Sequence, residues 1–463
     1  MLLIQQDVIE SRQAQEFDNL GIAEERPATE NIVAFAQALL EIVGAIHVTS
    51  FVNAIFYVLP DSVYFFSKGT TMNLVEDIEP SANRWSDALI ALRRTIHAHP
   101  ELAFEEHETA KRVQEFLARL AIPCRTGIAG TGIVAVLHGG RSGPTIAIRA
   151  DMDALPMSEP AGLAFASKVP GKMHSCGHDA HTAIALGVAA VLSEQREHLG
   201  GNVMFIFQPA EEMLSGARAM LEAGAFDDCK PDAILGFHNW PQLATGVVGW
   251  HPDAVTASSD AFDVTLKGVA GHGAHPHLAV DAIIGAAQFV DQVQTVVSRE
   301  IAPISSAVVT IGRINGGTAR NIIASSVEMN ASVRTLESAI ADKIEAAVRR
   351  ILEGLKTGLR VDYELKWTKL TPALRNDKPT MSRVLDVARA MLGPTNVVEM
   401  PFPSMGSDDY AWFAERVPSA HLRIGSKIDG HDTAIHRTDF QLNEKMIPLG
   451  TKLMTRAVLE LMR

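Results

Sequence analysis

Along the 463-residue chain the hydrophobic pattern changes character three times, near residues 80, 256 and 370. Beyond residue 80, Trp85, Leu89, Leu92 and Ile96 recur at helical spacing, which predicts a helix over 85–97 closed by the His97–Leu102 stretch with Pro100 as its stop. A second amphipathic helix is predicted over 109–120. Short apolar runs at 132–137, 145–150, 203–207 and 233–237 read as strands, with helical stretches at 182–194 and 216–223 between the later ones. Strands alternating with helices predict an α/β unit with a parallel or mixed sheet covered on both faces.

From 257 the order becomes strand (262–267), helix (280–297), strand (307–314), strand (327–335), helix (339–355) and strand (360–367). That β-α-β-β-α-β order predicts a ferredoxin-like unit inserted into the first. The α/β character resumes with a helix at 381–392, a strand at 421–424 and a terminal helix at 444–462. The expected division is an N-terminal appendage (1–80), a first part of the larger domain (81–256), the inserted unit (257–369) and a second part (370–463). Met72 is an alternative initiator. The apolar run 32–59 is long enough to span a bilayer, but Gln37, Glu41, His47 and Asn53 interrupt it. A charge at mid-membrane costs about 3 kcal/mol, so an amphipathic segment is expected there rather than a membrane tether.

Composition changes this picture little. A net charge of -13 argues against a nucleic-acid partner. Three widely spaced cysteines make no disulfide framework and fit a reducing compartment, most simply the cytoplasm.

The candidate chemistry lies at the ends of the predicted strands, where open α/β sheets bind ligands. The run Met173-His174-Ser175-Cys176-Gly177-His178-Asp179-Ala180-His181 holds a thiol, three imidazoles and a carboxylate. Alone it is equally a metal-binding cluster or a core cysteine flanked by surface histidines. Other strands deliver Asp151 and Asp153, the Glu211-Glu212 pair and His238 to the same edge, and His436 follows near the C-terminus. Cys176, His178, Glu212, His238 and His436 make five donors, more than one tetrahedral ion needs; they suit two ions sharing a ligand. On an extended backbone Glu211 and Glu212 point apart, so one can ligate while the other takes a proton from water. Asp179 is placed to cap the helix that begins there.

Three ordered segments carry a family resemblance: Arg149-Ala150-Asp151-Met152-Asp153-Ala154-Leu155-Pro156, the Cys-Gly-His-Asp stretch, and Pro209-Ala210-Glu211-Glu212. Residues 85–463 resemble the M20 metallopeptidase/amidohydrolase family, in the branch of hippurate hydrolases, N-acetyl-diaminopimelate deacetylases and auxin-conjugate amidohydrolases. The resemblance implies a hydrolase of N-acyl amino acids using two divalent ions per subunit (Mn, Zn, Co or Ni), and a homodimer formed through the inserted lid. It implies metal ligation by Cys176, His178, Glu212, His238 and His436, with Glu211 as general base to metal-activated water. Asp153 matches a carboxylate that orients a ligand, and Asp151 stands where other branches have a histidine ligand, so it is not counted as one. Within Gly271-His272-Gly273-Ala274-His275-Pro276-His277, His272 corresponds to the imidazole that stabilises the oxyanion in the partner subunit's site. Asn321 and Arg334 correspond to groups binding the substrate's amide oxygen and α-carboxylate. Asp408 falls in the pocket turn Ser404–Tyr410, where the family more often has Glu-Asp-Phe after Gly-Ser; this chain has Asp408-Asp409-Tyr410. A dipeptidase or carboxypeptidase, and a catalytically silent metal-binding dimer, are the alternatives.

Overall fold

The computed structural model describes residues 57–59, 62–64 and 74–463, and the chain divides into two compact units, Met1–Asn73 and Leu74–Arg463. In the first, Tyr57–Leu59 pairs antiparallel with Ser62–Tyr64. The rest of the apolar run 32–59 lies outside the described residues. Among the described residues no helix is long and apolar enough to cross a membrane.

The second unit opens on α1 (Leu74–His97) and α2 (His107–Arg119), followed by β1 (Cys124–Ile128), β2 (Gly132–His138), β3 (Arg141–Asp151) and α3 (His178–Glu194). Helix α1 begins well before the predicted residue 85. Polar residues from Ser81 to Asp87 dilute the apolar signal there, yet Ile78 and Ala82 are buried in the main core. Next come β4 (Gly200–Gln208), α4 (Gly216–Glu222), β5 (Ala233–Ala244), β6 (Val248–Trp250) and β7 (Ala254–Thr256). The inserted unit comprises β8 (Ser258–Lys267), β9 (Gly271–His272), α5 (Ala282–Thr295), β10 (Ala307–Gly316), β11 (Ile322–Ile323), β12 (Ser326–Thr335), α6 (Ser338–Leu359) and β13 (Asp362–Thr371). The chain then returns through β14 (Leu374–Arg375), α7 (Lys378–Leu392), β15 (Val397–Glu399), α8 (Ala411–Ala414), β16 (Ser419–Lys427) and α9 (Met446–Leu461).

The main sheet is mixed, in the order β15-β6-β16-β5-β3-β4-β2-β1, with β16, β5, β3 and β4 running parallel. Its central strands are buried on both faces, and alternate residues feed two cores. Ile146, Ile148, Val203, Phe205, Leu235 and Phe237 join the core beneath α1, α3 and α9. Ala147, Met204, Ile206 and Ile234 join the core on the other face. Helix α3 is buried along residues 178–192. Small residues permit this: a Cβ at Gly187 would come within 2.7 Å of Leu89 Cδ1 and 2.5 Å of Thr451 Oγ1.

The lid sheet is antiparallel, in the order β10-β12-β8-β13, the ferredoxin-like order. Phe262, Val264 and Leu266 of β8 alternate inward with Val327, Met329, Ala331 and Val333 of β12 to form a separate core with α5 and α6. Where the chain leaves the larger domain and where it re-enters, β7 and β14 pair antiparallel.

Candidate metal centre and active site

The site assembles where β3 and β4 end and α3 begins, beside His238 midway along β5, which runs past its predicted end at 237 to Ala244. Residue parity places Arg149, Asp151, Gln208, His238 and Arg423 on the sheet face whose apolar part holds Ala147, Ile206 and Ile234. That face therefore turns from apolar to charged toward the strands' carboxyl ends.

Cys176 and His178 flank Gly177, which has φ 92° and lies so close to Asn239 that a Cβ would be 2.3 Å from its amide nitrogen. Only glycine suits this bend, and it turns the thiol and the first imidazole of α3 to one side. His178 Nδ1 donates to the Asp153 carbonyl (2.9 Å) and approaches Asp153 Oδ1 at 3.2 Å. His238 Nδ1 donates to the Asn239 carbonyl at 2.6 Å. In the neutral ring these bonds keep the proton on Nδ1 and turn Nε2 to the site as the lone pair a metal takes. His238 Nε2 is 3.3 Å from Cys176 Sγ, while His178 Nε2 is buried with no hydrogen-bond partner among the described residues. The second Asp153 oxygen accepts the Glu212 backbone N–H at 3.0 Å, so one carboxylate positions both ligand segments.

Glu211 and Glu212 lie on a turn rather than an extended backbone, after Ala210 at φ 53°. This corrects the expectation that they point apart. Both carboxylates face His178 Nε2, Glu211 at 3.8 Å and Glu212 at 3.9 Å. The turn is held by Glu106, a buried carboxylate that accepts the Ala210 N–H (2.9 Å) and the Thr131 hydroxyl (2.5 Å). His436, itself at φ 63°, brings Nε2 to 3.3 Å from Glu212 Oε1, an oxygen without a hydrogen-bond partner among the described residues.

These donors form overlapping sets: Cys176 with His178 and His238, and Cys176 with Glu212 and His436. The shared thiol, the two imidazole Nε2 atoms and the orphaned Glu212 oxygen fit a pair of borderline divalent ions sharing Cys176. All five predicted ligands, with Glu211 beside them, thus come together. Asp151, not counted as a ligand from the sequence, sits beside the cluster with Oδ2 3.6 Å from His178 Nε2. Its oxygens are taken by Arg149 Nη1 (2.7 Å) and His181 Nδ1 (2.7 Å), and His181 Nε2 in turn accepts the Asn239 N–H at 2.9 Å.

A cavity of about 250 Å³ opens over the cluster, lined by Cys176, Glu211, Glu212, His238 and His436 from the larger domain and by Arg334 from the lid. Arg334 donates to Ser407 Oγ at 2.5 Å. Asp408 also lines the cavity, but its carboxylate is engaged by Arg149 (3.3 Å) and His421 (3.5 Å). Burial, then the Asp408 and Glu212 carboxylates, push Glu211 well above the usual carboxylate range. His272 and Asn321 stand apart from this cavity. They are exposed neighbours on the β9–β11 ribbon, where the Gly273 N–H meets the Asn321 carbonyl at 2.8 Å.

Asp179 does not cap α3. Gly177 occupies the cap position, and the Asp179 carboxylate turns to Arg93 (2.6 Å) and His97 (2.8 Å) of α1. The side chain sits inside the first turn, past the position from which a cap reaches back. It anchors the ligand-bearing helix to α1 instead. Sequence reasoning also missed Glu106, Asp409 and Arg423. Asp409 accepts from Gln208 (2.6 Å) and from the Ala217 N–H (2.9 Å). Its adjacency to Asp408 was visible, but the long-range partners were not.

A mixed thiol, imidazole and carboxylate cluster beside an uncommitted glutamate defines a metal-dependent hydrolase class of site. Comparison with known proteins agrees. Residues 147–460 match the peptidase family M20/M25/M40, and the chain belongs to that family. An N-acetylcysteine deacetylase of Bacillus subtilis is 39% identical over 365 residues, covering 79% of this chain and 94% of the relative. An IAA-amino acid hydrolase of Arabidopsis thaliana is 36% identical over 389 residues, covering 82% and 88%. A Bacillus subtilis crystal structure described as a dinuclear metal binding peptidase of the M20 family superposes with TM-score 0.72 at 35% identity, covering 82% of this chain and 99% of that one. The protein is thus a hydrolase of amide bonds with a metal-binding centre.

Proposed function

We propose that the protein is a two-metal amidohydrolase that cleaves N-acyl amino acids into a carboxylate and a free amino acid. The observation carrying this is the convergence of Cys176 with the Nε2 atoms of His178 and His238, at a cavity that Cys176, His238 and the Glu211 carboxylate line and whose lid wall supplies Arg334. Cys176, His178, Glu212, His238 and His436 would hold the ions. When bound, two such ions supply Lewis acidity that lowers the pKa of water and polarises an amide carbonyl.

Glu211 is the base that takes the proton from the attacking water and the acid that returns it to the leaving amine. A carboxyl whose pKa is raised by burial suits both transfers. Arg334 binds the substrate α-carboxylate through its planar fork, and Asp408 shapes the pocket by fixing Arg149 and His421. His272 and Asn321 serve the partner subunit's site as oxyanion donor and amide-oxygen contact.

A lid-mediated homodimer is supported by the open edge of β10 and by exposed Ile283, Ile284, Val308 and Ile314 around it. Three free cysteines suit a reducing compartment such as the cytoplasm. The test is amino-acid release from N-acetyl and N-benzoyl amino acids and from dipeptides, each with Mn²⁺, Zn²⁺, Co²⁺ or Ni²⁺. Turnover of the N-acyl compounds is expected; turnover confined to dipeptides with a free amine would overturn the reading.

A further inference from the structure

Three arginines approach the charged end of the sheet, and their surroundings differ. Arg149 is 1% exposed and is matched by Asp151, Asp408 and Asp409. Among the described residues Arg334 hydrogen-bonds only to the neutral Ser407 hydroxyl. Arg423 of β16 is 4% exposed and has no carboxylate partner among the described residues.

Arg423 lies opposite His238 in the parallel register of β16 and β5, so both project from the same face. Its guanidinium carbon stands 4.0 Å from the Trp240 ring centroid, and the Trp240 and His238 centroids are 6.5 Å apart. Its Nη2 donates to the Val255 carbonyl at 3.1 Å. Its Nε and Nη1 have no hydrogen-bond partner among the described residues, yet neither is sealed from solvent. Arg423 and Trp240 both line the cavity that holds the metal-ligand cluster. Burial alone acts on the guanidinium and pulls its pKa down to about 10, with no carboxylate to offset it. Stacking on Trp240 holds the planar group flat and leaves its edge donors available. An unmatched buried cation is costly unless an anion joins it.

We propose that Arg423, held on Trp240, binds a second carboxylate of the substrate, so that the preferred substrates are N-acyl amino acids carrying two carboxylates. This rests on the N-acyl-amino-acid reading, in which Arg334 takes the first. The second can belong to an acidic side chain or to a dicarboxylic acyl group; the chemistry recognised is the same.

The test compares acids with their shape-matched amides on the metal-loaded enzyme. N-acetylglutamate is paired with N-acetylglutamine, and N-succinylmethionine with its succinamyl amide. The first pair reports a side-chain carboxylate and the second an acyl carboxylate. In at least one pair the acid is expected to be favoured by about 10–100-fold, mainly through KM, the range a charge-assisted hydrogen bond supplies. Arg423→Met should collapse that ratio to near one, and Arg423→Lys should restore part of it. Acid-to-amide ratios near one in both pairs with the unmodified enzyme would overturn the proposal, whether or not the variants fold. So would a preference that survives Arg423→Met. Calorimetric binding of the same pairs to metal-loaded Glu211→Gln separates this proposal from the reading beneath it. Acid-selective binding without turnover of any N-acyl compound by the unmodified enzyme would sink the hydrolase reading and leave the subsite standing. Equal binding of acid and amide would sink the subsite alone.

Discussion

The two sheets make opposite uses of their faces. The main sheet is covered on both sides, and its polar groups gather at one end, where Arg149 binds Gln208 and Asp151, and Asp151 and His238 meet His178 of α3. The lid sheet is covered on one side only; β12 alternates buried and open positions along its length, and most of β10 is exposed. The difference teaches where each kind of function can sit. Ligands that must hold fixed positions need a buried, hydrogen-bonded scaffold such as the one Asp153 gives His178 and Glu212. A group that serves a neighbouring subunit needs an open surface, and His272 and Asn321 have one.

Experiments can break or sharpen that contrast. The largest effect should come from the buried side: chelation is expected to abolish turnover, and added Mn²⁺, Zn²⁺, Co²⁺ or Ni²⁺ to restore it. Activity persisting in protein shown to be metal-free by elemental analysis would contradict the site. On the open side, His272→Ala should lower kcat by about 10²–10³-fold, the usual loss for an oxyanion donor. Mixing His272→Ala with Glu211→Gln subunits should recover activity, because a mixed dimer contains one complete site. No recovery after verified subunit exchange would confine His272 to its own chain. Arg334→Met is expected to raise KM by about 10–100-fold with a smaller change in kcat; an unchanged KM would remove Arg334 from substrate binding.

The smallest effect concerns His174, whose two ring nitrogens are buried without partners. Burial pulls its pKa from 6.5 down to about 4. Between those values the unfolded chain binds the proton more readily, so stability should fall as pH drops through this window, by up to about 3 kcal/mol. Urea unfolding at pH 7 and pH 5 should show that loss, and His174→Leu should lessen it. Equal pH slopes in the two proteins would assign the loss to other groups.

Much of this was legible in the sequence because it is written in local pattern. The continuous apolar runs of β3, β4 and β5, the alternation in β8 and β12, and the local motifs around Cys176–His178, Glu211–Glu212 and His238 are all short-range signals. The rest depends on distant pairing. The edge strands β1 and β15 are partly polar, β6 beside β15 has only three residues, and the form of all three comes from their neighbours. Helix α3 begins at His178, four residues before its apolar stretch, because its first turn is a buried polar site. Asp179 resembled a cap until Arg93 and His97, far away in sequence, claimed it. Arg423 looked like any strand arginine, and only the fold shows that it lies on Trp240 with no acid to match it.

The central claim is that the site supplies the ions' ligands, with His436 the exposed one among them, and the proton carrier in separate residues. The most direct measurement is kcat of Glu211→Gln on a hydrolysed N-acyl amino acid, together with its bound-metal stoichiometry. The account predicts two ions per subunit and a kcat lower by about 10²–10⁴-fold. A variant that keeps its ions and turns over at the unmodified rate would contradict it.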